Sequence, residues 1–292
     1  MDDKEVAQRP PDPDPCIIMT ESPRLLILGA HPDDAEFHAG GFATQFRRRG
    51  GAVKLVSVTD GGAGHQSLPS AELRHIRRDE AAASAAVIGA ESAVWTFPDG
   101  NLLPSLEVRE AIIAEMRRYR PDLVLTHRTC DYHPDHRAVG QAVQDASYMV
   151  TVPKIVPEVP PLARDPVVAY MPDLFTRPAP LRPDIVVDIA AEFDTIVAML
   201  ACHKSQFFDW LPHNRGVADR VPSDGTARLS WLREWYSGVV RPRADRCRGE
   251  ILANYGAARG ATIEFVEMFE ISEYARQPDA TLRGTQLDFM AL

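Results

Sequence analysis

Arg24-Leu25-Leu26-Ile27-Leu28-Gly29-Ala30-His31-Pro32-Asp33-Asp34 is the stretch from which the rest of this chain can be read. An apolar run of strand length ends at Gly29-Ala30 and delivers one imidazole and two carboxylates within four residues. Runs of this kind, bounded by turn residues, predict a parallel strand buried on both faces. In open α/β sheets the chemistry collects just past the carboxyl ends of such strands. Pro32 fixes its own φ and keeps His31 out of the helical region, so the turn is stiff. His31 and Asp34 can then point inward together with Asp33 between them, an arrangement of a metal ligand set and a base rather than a phosphate cradle.

A second stretch answers the first. Asp122-Leu123-Val124-Leu125-Thr126-His127 is another apolar run, followed by Arg128-Thr129-Cys130-Asp131-Tyr132-His133-Pro134-Asp135-His136. A lone His-Pro-Asp reads as an ordinary turn, because Asp and Pro are common turn formers. Two copies after two strands, with His127 and Asp131 beside the second, read as a metal site. Imidazoles and carboxylates are the usual zinc ligands outside all-cysteine sites, and a His/Asp/His set leaves a position open for water.

The elements around these turns form a β-α series. A helix is predicted over 35–49, packed closely at Gly40-Gly41 and stopped by Gly50-Gly51. A strand over 53–59 opens into Asp60-Gly61-Gly62-Ala63-Gly64-His65; an Ala-rich helix over 70–88 is ended by Gly89. A third strand over 93–97 turns at Pro98-Asp99-Gly100-Asn101, which places Asp99 at a strand's carboxyl end. A helix over 106–119 leads to the fourth strand, and a helix over 134–149 follows the second His-Pro-Asp. Four such units imply a parallel sheet with right-handed crossovers. In the order 3-2-1-4, strands one and four are neighbours at the switch point, and these are the strands carrying the two turns. A dinucleotide site is excluded, since Gly29-Ala30-His31-Pro32-Asp33-Asp34 stands where Gly-x-Gly-x-x-Gly is required.

Beyond 150 the pattern weakens. Prolines crowd 152–183 and predict an ordered loop region with a short strand at 167–171. A strand over 185–189 and a helix over 192–208 follow. Residues 209–246, with Trp210, Trp231, Trp235 and Tyr236 among Gly, Pro and Arg, read as a long loop anchored by its aromatics or offering them to a sugar face. A last helix is expected over 244–258 and a last strand over 262–269. Residues 1–22, rich in Asp and Pro, and residues 276–292 read as tails around a single domain over 23–275.

Composition bounds the function. The 292 residues are 45% hydrophobic and 25% charged, ordinary globular material, with a net charge of −9. That charge argues against a nucleic-acid partner and gives no attraction to anionic membranes. Cys16, Cys130, Cys202 and Cys247 show no CxxC spacing and suggest a reducing compartment. Met1-Asp2-Asp3-Lys4-Glu5 is acidic with no apolar core after it, and no run is long enough to span a bilayer, so the expected location is cytoplasmic.

Ala30-His31-Pro32-Asp33-Asp34-Ala35-Glu36 with Gly40-Gly41 resembles the signature of the PIG-L/LmbE-like zinc-dependent N-deacetylases. His127-x-x-x-Asp131-x-His133-Pro134-Asp135-His136-Arg137 resembles that family's second motif. Weaker echoes are Thr59-Asp60-Gly61-Gly62, Arg77-x-x-Glu80, Phe97-Pro98-Asp99-Gly100 and His203-Lys204-Ser205-Gln206. The familiar C-terminal Tyr-Ala-Glu-aromatic pattern is present only as Phe265-Val266-Glu267-Met268-Phe269.

The resemblance, covering about residues 24–272, implies a Rossmann-like, mostly parallel sheet flanked by helices, with Pro-rich and Trp-containing loop insertions. It implies a hydrolase that removes an acetyl or other acyl group from an N-acetylglucosamine-like amino sugar, a glycoconjugate or another small amine. Zinc, or another divalent ion, would be held by His31, Asp34 and His136. Asp33 would be the general base, although spacing alone allows Asp34 instead. His133 would meet the oxyanion or protonate the leaving amine, and Asp131 or Asp135 would orient the imidazoles. Arg77 would reach substrate, the alternative being a surface pair with Glu80; Asp99 would meet sugar hydroxyls. Two rival functions keep the same residues: amide cleavage of a thiol conjugate or ester hydrolysis, and a catalytically silent sugar-binding protein. Homo-oligomerisation is expected from the surface that the loops and C-terminal tail offer.

Overall fold

The computed structural model describes residues 22–278. Its first half alternates β1 (Arg24–Gly29), α1 (Asp34–Arg48), β2 (Ala52–Thr59), α2 (Ser70–Val87), β3 (Glu91–Phe97), α3 (Leu106–Tyr119), β4 (Leu123–Thr126) and α4 (Pro134–Met149). The second half adds β5 (Val167–Tyr170), β6 (Ile185–Asp188), α5 (Phe193–Cys202), a π-helical turn (Ser205–Trp210), α6 (Leu211–Asn214), α7 (Gly225–Arg246), α8 (Arg248–Tyr255), α9 (Ala257–Gly260) and β7 (Val266–Ile271).

The strands form one seven-stranded sheet in the order β3-β2-β1-β4-β5-β7-β6. β1 to β5 run parallel, and β7 pairs antiparallel with both β5 and β6. The 3-2-1-4 order is present, and Leu28 lies opposite Thr126, so β1 and β4 end flush. Successive β1 side chains face opposite layers, as strand geometry dictates. Leu25 and Ile27 pack with Phe42, Phe46, Phe193 and Tyr236, whereas Leu26 and Leu28 pack with Ile112, Val139 and Val143. Both faces of β1 are therefore buried, which is why it reads as an unbroken apolar run.

α1 is broken within its length. Ala39 has φ −141°, ψ 17°, so the helix restarts after it. The freed amides of Gly41 and Phe42 donate to the Glu267 carboxylate at 2.8 and 2.7 Å. A Cβ at Gly41 would lie 2.4 Å from Ile189 Cγ2, so the close approach of β6, β7 and the helix requires glycine there. Glu267 thus caps an internal helix start from a strand more than two hundred residues away.

The expected long loop over 209–246 is a misreading. Residues 225–246 form a 22-residue helix. Leu232, Tyr236, Val240 and Ala244, buried at four-residue intervals, are its core stripe, and the surrounding Arg, Gly and Trp residues hide that spacing. Pro242 is tolerated within it above Gly238. The single helix expected over 244–258 is divided, because α7 ends at Arg246 and α8 and α9 follow. The helix expected over 192–208 changes to a π turn after Cys202, and the last strand lies later than expected, at Val266–Ile271. The 152–183 region holds β5 and otherwise irregular backbone. The expected tails lie outside the described residues except for Ser22 and 276–278. Cys130, Cys202 and Cys247 are free thiols, and Cys16 is outside the described residues. Among the described residues no helix is long and apolar enough to cross a membrane.

Candidate active site

The two His-Pro-Asp turns open side by side at the carboxyl ends of β1 and β4. Asp34 is the first helical residue of α1 and folds back over the strand end, where Ala30 N and His31 N donate to its Oδ2 at 2.9 and 2.7 Å. Gly29 permits this, since a Cβ there would lie 2.8 Å from the Asp34 Cβ. Asp33 is the N-cap of α1 at φ 142°, ψ −19°, a region in which a non-glycine residue is uncommon. Strain of this kind persists where the surroundings over-determine the backbone. Here Arg77 supplies the restraint, donating to Pro32 O at 2.6 Å while pairing with Asp33 Oδ1 at 3.1 Å.

His31, Asp34 and His136 converge. His31 Nδ1 is 3.5 Å from Asp34 Oδ2, His136 Nε2 is 3.5 Å from Asp34 Oδ1, and the two ring nitrogens are 3.3 Å apart. Bonds of about 2.0–2.1 Å to a tetrahedral zinc would place its ligands roughly 3.3–3.4 Å apart; the two histidine nitrogens meet that spacing, while the two Asp34 distances run to different oxygens of its carboxylate. The outer ring nitrogens face carboxylates: His31 Nε2 lies 3.3 Å from Asp99 and 3.4 Å from Asp135, and His136 Nδ1 lies 3.1 Å from Asp131. These contacts have ion-pair distances without hydrogen-bond alignment. The two inner nitrogens lie within hydrogen-bond distance of each other, 3.3 Å apart; a cation bound by both would leave each ring its proton on the outer nitrogen, facing a carboxylate. Carboxylates behind ligating histidines are the usual means of fixing ring and tautomer.

His127 belongs to the same cluster, although the sequence reading gave it no role of its own. Its Nε2 is 3.1 Å from Asp34 Oδ2 and accepts from Ala30 N at 3.2 Å, and its ring stacks on His136 with centroids 3.9 Å apart. Its place immediately after β4 was the available signal. Among the described residues three overlapping groups have metal-binding proximity: His31/His133/His136, Asp34/His127/His136 and His31/Asp99/Asp135. The last reads better as support for His31, because Asp135 is consumed by Gly100 N and Leu102 N at 2.7 and 3.1 Å.

The electrostatics follow from this crowding. Burial opposes charge on Asp34, yet His136 and His127 hold its carboxyl well below the usual range. Burial also disfavours a charged His31, but the facing carboxylates of Asp135, Asp34 and Asp99 outweigh it and raise the ring well above its ordinary value. His136 rises to about 9 when Asp34 and Asp131 overcome its burial. Asp33 goes the other way: burial lifts it to about 6 against the opposing charge of Arg77.

His133 is the N-cap of α4, and its Nδ1 accepts from Asp135 N at 3.2 Å. Its neutral form therefore carries the proton on Nε2. Burial and the neighbouring His31 and His136 lower its pKa. Its ring centroid is 4.5 Å from that of His31 and 5.0 Å from that of His136. Asp99, expected at a sugar hydroxyl, also accepts from Ala63 N at 3.0 Å and is held near 2; its burial is offset chiefly by His31. Arg77 turns into the site and not towards Glu80.

The fold and site define an α/β protein with a largely buried His/Asp cluster at the switch point of a parallel sheet. Residues 26–147 match the PIG-L family model, described as GlcNAc-PI de-N-acetylase. The chain is 25% identical to 4-oxalmesaconate hydratase of Pseudomonas putida, covering 69% of this chain and 81% of that protein. It is 26% identical to diacetylchitobiose deacetylase of Thermococcus kodakarensis, covering 67% and 76%. Its fold is that of N,N'-diacetylchitobiose deacetylase from Pyrococcus horikoshii, with TM-score 0.67, 22% identity and coverage of 90% and 89%.

Proposed function

We propose that this chain is a zinc-dependent hydrolase that removes an acetyl or similar acyl group from the nitrogen of an amino sugar or glycoconjugate. The observation that carries the reading is the pair of inward histidine nitrogens 3.3 Å apart beside Asp34, each ring backed by a carboxylate. A divalent ion held by His31, Asp34 and His136 would polarise the acyl oxygen and acidify a water. Asp33, not engaged in capping its own helix and raised to about 6, would take a proton from that water near neutral pH. Arg77 keeps Asp33 from swinging away. His133, neutral with its proton on Nε2, offers a donor to the oxygen on which charge develops. The PIG-L match and the deacetylase relatives support the substrate class.

The hydratase relative favours a second reading, in which the same water and base add across a carbon–carbon double bond. The two reactions differ in what leaves. Deacylation releases a carboxylic acid and a primary amine, whereas hydration adds one water to the substrate and releases nothing. A screen of N-acetylated sugars and unsaturated carboxylates, on chelated protein with and without added zinc, decides between them. Zinc-dependent release of acetate with a free amine is the expected result; zinc-dependent gain of one water without acetate would replace the proposal.

A further inference from the structure

His203-Lys204-Ser205-Gln206 is a motif to which the mechanism above gives no task. In the structure it lies where α5 gives way to the π-helical turn, and its polar groups reach three separate elements. His203 Nε2 lies 3.2 Å from Glu36 Oε1 on α1. Ser205 binds both oxygens of Glu80 on α2, its N at 2.8 Å and its Oγ at 2.6 Å. Gln206 Nε2 donates to Gly64 O, in the loop after β2, at 3.1 Å. All five side chains involved are buried, so no water substitutes for these bonds and each holds a fixed geometry.

The attachment points give these bonds their meaning. Glu36 is three residues from Asp33 in the first turn of α1, and Glu80 is three residues from Arg77 on α2. Arg77 in turn bonds Pro32 O at 2.6 Å and Asp33 Oδ1 at 3.1 Å, so the Asp33 backbone and carboxylate are set by where α2 lies relative to α1. α1 and α2 each pack on α5, so their relation runs through that helix. The motif follows α5 and ties both helices to one turn.

We propose that His203, Ser205 and Gln206 form a three-point clip that sets Arg77 against Asp33, which makes Ser205 and Glu80 positioning residues for the reaction. The inference rests on the proposed function only in taking Asp33 as a group that acts on the substrate. A misplacement on the order of 1 Å at such a group costs about a hundredfold in rate.

The test is a double-mutant cycle on the full chain loaded with zinc, using an N-acetylated sugar that the wild type turns over. Ser205→Ala is expected to lower kcat roughly 10- to 100-fold, with KM within about threefold and zinc content unchanged. Ser205→Thr, which keeps the hydroxyl, should recover most of that loss. In an Arg77→Lys background, Ser205→Ala should cost little more, since the group it positions has already been replaced. A full additional loss in that background would overturn the proposal, as would a lowered melting temperature with unchanged kcat. If turnover of Arg77→Lys is too low to measure, the crystal structure of Ser205→Ala decides: the Arg77–Asp33 contact must lengthen or break, and an unchanged contact refutes the clip. A wild type inactive on every N-acyl substrate would be a failure of the functional reading, distinguishable from an additive cycle.

Discussion

In the turn after β1 the helix begins at Asp34 and Asp33 is its N-cap; in the turn after β4 the helix begins at Pro134 and His133 is the N-cap. The same tripeptide, His-Pro-Asp, is therefore folded two residues out of phase. In the first copy the histidine stands clear of the helix and points Nδ1 inward, while Asp33 faces Arg77. In the second copy Pro134 sits at the first helical position, for which its fixed φ is suited. Asp135 is then drawn fully inside against Gly100, Leu102 and His31, and His136 is held on the first turn with Nε2 inward. The role of each residue in a repeated motif is set by where the helix starts.

The largest effect expected from breaking this asymmetry is at His136. His136→Ala removes an inward nitrogen on a ring whose other nitrogen faces Asp131, so zinc per chain should fall towards zero and turnover with it. Metal analysis of the purified variant checks this; retained zinc would mean that the second turn supplies its ligand from His133.

Asp33→Asn tests the first turn. Zinc should remain and kcat should fall by roughly 10²–10⁴-fold. Joint loss of metal and activity would show that Asp33 and Asp34 have been assigned each other's roles.

A smaller loss is expected for His133→Ala, about 2–4 kcal/mol of transition-state stabilisation with metal content retained. Comparing this variant with His136→Ala asks directly whether the two phases of the motif produce two different jobs. If His133→Ala is the metal-free protein, they do not.

Asp135→Asn keeps the shape of the turn but weakens the carboxylate behind His31. Its zinc affinity should drop by about 10- to 100-fold, read by competition with a chelator. An unchanged affinity would leave Asp99 as the carboxylate that matters.

The smallest effect lies in the helices behind the turns. α4 needs no internal cap, whereas broken α1 relies on Glu267, whose burial raises its carboxyl from 4.5 to about 7 despite the amides of Gly41 and Phe42. A carboxyl raised on folding binds its proton more tightly in the folded state. Its contribution is fully present below pH 4.5 and is lost as pH rises through about 7. The slope from one such group is at most about 1.4 kcal/mol per pH unit. Melting curves should show the wild type losing stability from pH 5 to about 7.5 relative to Glu267→Gln; parallel pH profiles would remove Glu267 from the account.

Much of the first half is legible in the sequence. Strands β1 and β4 are buried by layers on both sides, and that burial writes itself locally as unbroken apolar runs. The second half was harder to read for physical reasons. α7 buries one narrow stripe, Leu232, Tyr236, Val240 and Ala244, among arginines that snorkel and tryptophans that pack at its sides. Its composition therefore resembled that of a loop. His127 neighbours the motif in sequence, but its membership of the cluster depends on contacts with the Ala30 amide and Asp34.

By itself the sequence determined that two polar turns follow two buried strands, and a parallel sheet in the order 3-2-1-4 makes those strands adjacent. Apolar periodicity and turn chemistry are local properties, so a linear chain displays them. Only the tertiary structure decided which ring nitrogen faces inward, which carboxylate stands behind it, and which aspartate pairs with Arg77. Those choices are made by Gly100, Arg77, Ala30 and Asp131, groups from four different segments. A hydrogen bond between distant segments is fixed by the packing of the elements that carry them, and no local pattern records it.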